Sequence, residues 1–570
     1  MNYENFNPRA FLLAQARELL TQAANAAMAD GSLPQAELPA FITEIPADRK
    51  NGDVASNMAM AGARAWHKAP KMIADAILAH LPSLQGTCWD RAEVAGPGFI
   101  NLYTGADWLS TVVLAAATNP EYGRTNYGNG QKYNVEFVSA NPTGPMHMGN
   151  ARGGALGDCL AAVLDWAGYQ VTREFYLNDA GNQIQKFGKS LAVRYLQKCL
   201  GEQGYPLPEE CYQGADIMER AVAFGEAHEA ETAPLVEACR ALSGDALYES
   251  EAFAQLKEAL VNFALPINIA NMEKDLGKYR ISYDTWFKES TLHASGAVQA
   301  VVDKLLASGA CYKAEDGAVM YRSAQYAAKY GTVNKKKTDD GSEEEAKDEV
   351  LVRGNGIPTY FAADIAYHYN KLAVRGFDKA IDIWGADHHG HVARMKGAMD
   401  AIGLNGEQLD VVPIDSARFL FNEQQAGSAM DFDLDLAIKQ DNDNPVYYVQ
   451  YAHARICSIL KKLESEGVVY GGEESWHGQY TFAEPAELEL IRMLEAFPAE
   501  IVLSAQKYDP ARINHYVTAL AAAFHKFYNT CRLLGEQPAT LQARLALCLG
   551  VKAVIYNVLT MFKITVPEKM

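Results

Sequence analysis

Apolar residues recur every three to four positions through FLLAQARELLTQAANAAMAD, so the spacing predicts a helix over residues 11–30. The run EVAGPGFINLYT (93–104) reads as a turn at Gly96, Pro97 and Gly98 leading into a strand, and the Asn- and Gly-rich stretch 117–132 reads as a linker. From Lys132 the pattern changes. A strand (Asn134 to Val138), a helix of small residues (about Gly149 to Ala167) and a second strand (Gln170 to Tyr176) make a βαβ unit, the seed of a parallel sheet. Residues 200–298 are mainly helical by pattern and read as an insertion between two halves of that sheet. Further strands are expected at Val350–Arg353, Thr359–Phe361 and Ala380–Trp384. After Asn444 and Pro445, a helix start, the three-to-four spacing of Leu, Ala, Ile and Tyr runs to Met570 and predicts a helix bundle.

Composition narrows the class without changing this layout. With 49% hydrophobic and 21% charged residues in 570, the chain is neither disordered nor fibrous, and its length suits three to four domains. It contains no uninterrupted apolar run of eighteen residues and does not start with a basic segment followed by an apolar one. No membrane segment and a cytoplasmic location are therefore expected. Nine scattered cysteines with no CxxC pair point to free thiols and away from a structural zinc cluster. The net charge of -19 opposes polyanion binding on average but says little about a local patch. The run NKKKTDDGSEEEAKD, with Lys335 to Lys337 and Glu343 to Glu345, is either a solvated loop or a basic loop against a phosphate backbone.

The chemistry concentrates in SANPTGPMHMGNARGGALGD, Ser139 to Asp158. A strand enters a turn holding Pro142, Gly144 and Pro145, and a helix begins near Gly149, so unpaired amides and the positive end of the helix dipole face the loop. His147 and Asn150 can project to one side and bond phosphate oxygens, Gly149 lets a flat ring approach, and Gly153 and Gly154 let the helix close on the sheet. His388, His389 and His391 could suggest a metal, yet no HExxH-type spacing accompanies them, which leaves a structural cluster as the stronger reading.

The His, Gly and Asn at these offsets resemble the first signature of class I aminoacyl-tRNA synthetases, with Asn150 in place of its second His. VEFVSANPTGPMHMGN, GIPTYFAADIAYHYNK, WGADHHGHVARMKGAMDAIG, MDFDLDLA and NPVYYVQYAHARICSIL together resemble bacterial arginyl-tRNA synthetases, as do AEVAGPGFINLY, FHKFYNTCR and the ending VPEKM. The resemblance implies an α/β fold: a Rossmann-like parallel-sheet catalytic domain over 123–440 with its helical insertion at about 200–298, an α+β domain over 1–122 that touches the tRNA elbow, and an all-α anticodon-binding bundle over 441–570. It implies two steps, adenylation of arginine by ATP with Mg²⁺ and transfer to the terminal ribose of tRNA(Arg), by an enzyme that is a monomer. His147 and Asn150 would be catalytic. Gly149, Gly385, Asp387, His388 and His391 would join them around ATP. Glu136, Asn141, Tyr360, Asp364 and His388 would hold arginine, whose planar fork of donors wants carboxylate and carbonyl acceptors. Read on its own, Asp364 is more readily a helix N-cap than a substrate ligand. Tyr448, Tyr451, Arg455 and Arg532 would meet tRNA, by stacking and phosphate pairing.

One departure stands out. The second, lysine-bearing signature of class I enzymes is expected between MKGAMDAIG and DSARFLFN, but LDVVPI (Leu409 to Ile414) runs directly into Asp415. Some arginyl enzymes compensate with a lysine three positions ahead of the first signature's His, where this chain has Gly144. The alternative to a working ligase is a synthetase-like paralogue that binds arginine, ATP or tRNA without efficient aminoacylation.

Overall fold

The computed structural model describes residues 3–330, 348–384, 389–413 and 443–570. The chain divides into two compact units: Met1–Asn129 with Ala162–Gly168 and Phe432–Met570, and Gly130–Ala161 with Tyr169–Asp431.

In the first unit, the helix Pro8–Ala29 begins where Asn7 accepts the amide of Ala10 (3.1 Å) and Pro8 occupies the first turn. Strands β1 (Thr43–Glu44), β2 (Val54–Ser56), β3 (Trp89–Ala95) and β4 (Phe99–Thr104) form an antiparallel sheet in the order β1-β2-β4-β3. The glycines of the expected turn close the β3–β4 hairpin: Gly96 (φ +52°) and Gly98 (φ +132°) adopt backbone angles that other residues resist. The Asn- and Gly-rich stretch is no slack tether, because Tyr122 is fully buried and its hydroxyl donates to the carbonyl of Leu494 (2.9 Å). Asn444 caps the helix Pro445–Ser465 through the amide of Val446 (3.1 Å), and Pro485–Lys507, Ala511–Thr530 and Pro538–Met561 complete the bundle. Pro538–Met561 is long and apolar enough to cross a bilayer, but 72% of that apolar window is buried among its neighbours, as befits a core helix.

The second unit is built on a five-stranded, wholly parallel sheet. Its strands are β5 (Lys132–Glu136), β6 (Gln170–Leu177), β7 (Thr285–Lys288), β11 (Lys379–Trp384) and β12 (Leu409–Pro413), in the order β12-β11-β5-β6-β7. The remaining strands, β8 (Cys311–Lys313), β9 (Val319–Tyr321) and β10 (Glu349–Val352), form a separate antiparallel sheet. The expected strand at Val350 thus lies outside the parallel sheet, and Thr359–Phe361 is no strand: a helix, Tyr360–Tyr369, starts there. The helical stretch also ends before 298, since β7 is the sheet's edge strand.

Helix Met148–Trp166 lies tight on β5 because its glycines permit it. A Cβ at Gly157 would fall 2.1 Å from the Phe137 ring, and one at Gly154 would fall 2.5 Å from Ile281. Beyond β6, helices Gly181–Leu200, Ala215–Cys239 and Glu251–Lys278 share a core that includes Phe187, Leu196, Phe224 and Leu256. Asn268 of this helical group donates to the carbonyl of Pro142 (3.0 Å) and so steadies the loop after β5.

Candidate active site

The order β12-β11-β5-β6-β7 has a reversal point. From β5 the chain crosses to β6 on one side, and from β11 it crosses to β12 on the other, so a crevice opens at the carboxyl ends of β5 and β11. Open parallel sheets bind ligands in that position. Two segments flank it: the loop from β5 to His147, and the start of helix His389–Ala401, which carries His391.

The β5 loop is strained. Val138 (φ +72°) and Ser139 (φ +41°) hold left-handed backbone angles, costly above all for a β-branched residue. Ser139 anchors the bend by donating to Glu136 (2.8 Å) and accepting from the amide of Tyr176 (3.1 Å). At the helix start the Asn150 side-chain oxygen accepts the amide of His147 (3.0 Å), which leaves its amide nitrogen as a donor toward a ligand. His147 is exposed, and its ring rests over Gly149, where a Cβ would come within 3.1 Å. The loop therefore offers backbone amides, an imidazole and a carboxamide at one helix N-terminus, the donor set a phosphate chain needs.

Beneath the crevice lies a row of buried carboxylates. Asp382 of β11, Glu136 of β5 and Glu174 of β6 are register partners on adjacent strands. One helix, the π-helical turn that follows it, Asn370–Val374, and the residue that caps this turn, Arg375, supply their cations. Lys371 bridges Glu136 (2.5 Å) and Asp382 (2.8 Å), His368 meets Asp382 (2.6 Å), and Arg375 forks onto Glu174. Burial would strip the proton from Lys371, but the charges of Asp382 and Glu136 outweigh it and raise its pKa. Burial pushes Glu136 upward against the pull of Lys371, whereas for Asp382 the charges of Lys371 and His368 overcome burial and lower its pKa. Glu136, expected at the substrate's ammonium end, already has protein donors on both carboxylate oxygens: Ser139 and Lys371.

On the β6 and β7 side is a cavity of about 300 Å³ whose lining includes Asn182, Glu289, His293, Arg353 and Tyr360. The Tyr360 hydroxyl accepts the amide of Asn182 (3.0 Å). Asp364 sits one turn further along and meets His391 at 3.3 Å. It is the fifth residue of its helix, so the N-cap position belongs to Thr359. Glu289, which sequence reasoning missed, is buried and close enough for its charge and that of Asp364 to interact. The Asn178 amide reaches it (2.8 Å) and also lies 3.3 Å from the side chain of Asn141. Burial raises the pKa of the Tyr176 phenol, and the charges of Glu289, Asp364 and Glu136 raise it further. Asn141, Tyr360 and Asp364 thus lie near Glu289, around a recess that also holds His293 and Arg353, while His147 and Asn150 stand at the same end of the sheet. Gly385, Asp387, His388, Lys335 to Lys337 and the segment after Pro413 lie outside the described residues.

In the helical bundle, Tyr448 and Tyr451 flank the His525 ring at 5.1 and 5.7 Å, and the Arg455 guanidinium lies over Tyr528 at 4.4 Å. Burial, then the charge of Arg455, lowers the pKa of His525, so this ring is a neutral stacking surface near pH 7. Arg532 lines a neighbouring pocket of about 270 Å³ with Lys462 and Tyr528.

Three family models match along the chain: the arginyl tRNA synthetase N terminal domain at 14–104, the catalytic domain of tRNA synthetases class I (R) at 112–209, and the DALR anticodon binding domain at 449–570. The arginine--tRNA ligase of Ruminiclostridium cellulolyticum is 45% identical over 98% of both chains, and that of Acetivibrio thermocellus is 42% identical over the same shares. The chain belongs to the arginyl-tRNA synthetases. Among solved structures, an arginyl-tRNA synthetase from Campylobacter jejuni superposes with a TM-score of 0.66 at 27% identity, over 82% of this chain and all of that one. The Thermus thermophilus arginyl-tRNA synthetase shares the fold with a TM-score of 0.67 at 20% identity, over 97% of this chain and all of that one. As a family member the chain is a class I synthetase, and the three matches follow one another along it.

Proposed function

We infer that this arginyl-tRNA synthetase activates L-arginine with ATP to arginyl-adenylate and passes the arginyl group to the terminal ribose of tRNA(Arg). One observation carries the reading: at the carboxyl end of a single parallel sheet, a helix N-terminus suited to phosphates stands at the same end as the neighbouring carboxylates of Asp364 and Glu289. In the first step the arginine carboxylate attacks the α-phosphate and pyrophosphate leaves. In the second the ribose hydroxyl takes the acyl group and AMP leaves. Neither step needs a protein nucleophile, so the work is alignment and charge stabilisation. His147, the Asn150 amide and the helix-end amides hold the triphosphate, with Gly149 leaving room beside them. Gly385, Asp387, His388 and His391 complete the nucleotide side. Asp364 and Glu289 take the guanidinium, with Tyr360 as a wall, and Asn141 and Glu136 face the amino-acid end.

Mg²⁺ would come with ATP and neutralise charge on the triphosphate held at His147 and Asn150, with phosphate oxygens and water able to serve as its ligands. No group of three or more metal-binding side chains converges among the described residues. Tyr448, Tyr451, Arg455 and Arg532 form the anticodon-loop surface, on a domain spanning 441–570. The domain over 1–122 takes the tRNA elbow, 123–440 is the catalytic domain, and the enzyme works as a cytoplasmic monomer.

An alignment of 590 positions that takes in 98% of a 570-residue chain leaves about thirty positions unfilled on this side. The absence of a lysine-bearing second signature after Leu409 makes rate the quantity to measure. The test is arginine-dependent ATP–pyrophosphate exchange with and without tRNA, followed by charging with labelled arginine. Labelled arginyl-tRNA(Arg) is expected. Arginine that binds but never reaches tRNA would sink the reading.

A further inference from the structure

His368 lies directly under Asp364 on the same helix, and both of its ring nitrogens face acceptors. Nδ1 is 2.7 Å from the main-chain carbonyl of Asp364, and Nε2 is 2.6 Å from a carboxylate oxygen of Asp382. A neutral imidazole has one N–H, so it can serve only one of these; the arrangement requires both nitrogens to be protonated. The charge count agrees. Asp382, Glu136 and Glu174 bring three negative charges into the buried row, Lys371 and Arg375 bring two positive ones, and an imidazolium at His368 makes the third.

We propose that His368 is a positioning residue for arginine binding: held as a cation between β11 and the carbonyl of Asp364, it fixes the height of the Asp364 carboxylate over the sheet. The proposal rests on the reading of Asp364 as a guanidinium partner. The carbonyl belongs to the residue whose side chain is to grip the substrate, so movement of that main chain moves the carboxylate with it. Without the imidazolium the direct link from the Asp364 carbonyl to β11 is lost, and the turn keeps its helix bonds, the Tyr367 hydroxyl on Glu174 of β6 and the contact of the Asp364 carboxylate with His391. The π-helical turn that follows places Lys371 on the same carboxylate as His368, and that shared acceptor keeps the two cations in register.

The proton on His368 answers to Asp382 on β11, to Glu136 on β5 and to Lys371 on the following turn. On the recess side of the same helix stand Asp364, His391 from helix His389–Ala401, and Glu289 and His293 from helix Glu289–Ala294. Burial disfavours the cation, Asp382 more than compensates, and the net shift is upward. The ordering it provides is therefore fully present below the unfolded value and lost as pH rises through the raised one.

The wild-type protein tests this first, through ¹⁵N-histidine NMR of the whole chain, with the His368 signal assigned by its absence in His368→Gln. At neutral pH this ring is expected to be doubly protonated, and a neutral single tautomer there overturns the proposal. Kinetics supply the second arm. His368→Asn can keep the carbonyl bond and His368→Gln can keep the Asp382 bond, but neither can join the two. Both variants should raise KM for arginine about tenfold, the scale of one lost charge-assisted hydrogen bond, with KM for ATP within about twofold. Wild-type KM for arginine should rise with pH as the imidazolium is lost, and the variants should show no such step. An unchanged KM for arginine, equal rises for both substrates, or a pH step that survives in the variants overturns the proposal. If Asp364→Asn leaves arginine binding intact, the reading of Asp364 fails, whereas a neutral His368 ring defeats this proposal alone.

Discussion

Replacing Lys371 by Met would leave Glu136 and Asp382 facing one another across neighbouring strands with the cation between them gone. Lys371 is fully buried, and its ammonium is the donor to Glu136 Oε2 and Asp382 Oδ1. Breaking a buried ion pair from one side costs about 3 to 5 kcal/mol, because the partner's desolvation is no longer compensated. For a cooperative unit of this size that corresponds to a fall of roughly 5 to 15 °C in the unfolding midpoint.

The pH dependence has a definite sign. Burial raises the folded pKa of Glu136, so its contribution is fully present below the unfolded value and is lost as pH rises. Removing Lys371 pushes that pKa higher and enlarges the loss. Asp382 is lowered instead, so its contribution is present above the unfolded value and falls away in acid. Without Lys371 that benefit shrinks as well. Both effects make the variant's deficit larger at neutral and alkaline pH and smaller in acid, as Glu136 takes up a proton. Thermal unfolding of the two proteins across this range measures it. The triple variant with Glu136→Gln and Asp382→Asn should recover most of the loss, since neutral groups need no counter-charge. A deficit below about 1 kcal/mol, or one that does not change with pH, would refute the reasoning.

Three further outcomes are expected. Asp364→Asn and Glu289→Gln should each weaken arginine binding by calorimetry by about 2 to 5 kcal/mol, the range for removing one member of a buried charge pair, with ATP affinity little changed. Gly157→Ala forces a Cβ to within 2.4 Å of the Phe137 Cβ and should lower stability by about 1 to 3 kcal/mol in thermal unfolding, through overpacking of the helix against β5. Binding of tRNA(Arg) should weaken with salt on a log–log scale, and Arg455→Ala and Arg532→Ala should each reduce the slope by about 1 while leaving pyrophosphate exchange in place.

Local signals were legible wherever a few neighbouring residues settle the backbone. Asn444 followed by Pro445 marks a helix start because a side chain caps the first amides and the proline has none to lose. The Gly96–Gly98 turn, the βαβ unit after Lys132 and the glycines under helix Met148–Trp166 are of the same kind. The resemblance carried by VEFVSANPTGPMHMGN pointed to the family for the same reason: its chemistry sits on one contiguous strand, turn and helix. Elements without a pattern of their own escaped. β7 has four residues, too few for alternation to register. The apolar run at Thr359 reads as a strand until its continuation through Tyr369 establishes the helical period.

What the tertiary structure alone decided is which charges meet. Glu136, Lys371 and Asp382 come from β5, a π-helical turn and β11, and Glu289 joins Asp364 from a different segment again. A lysine among apolar residues looks like any solvated lysine until the sheet closes and removes the water. Only then does a buried charge require a partner, and strand order, not sequence spacing, determines which residue that partner is.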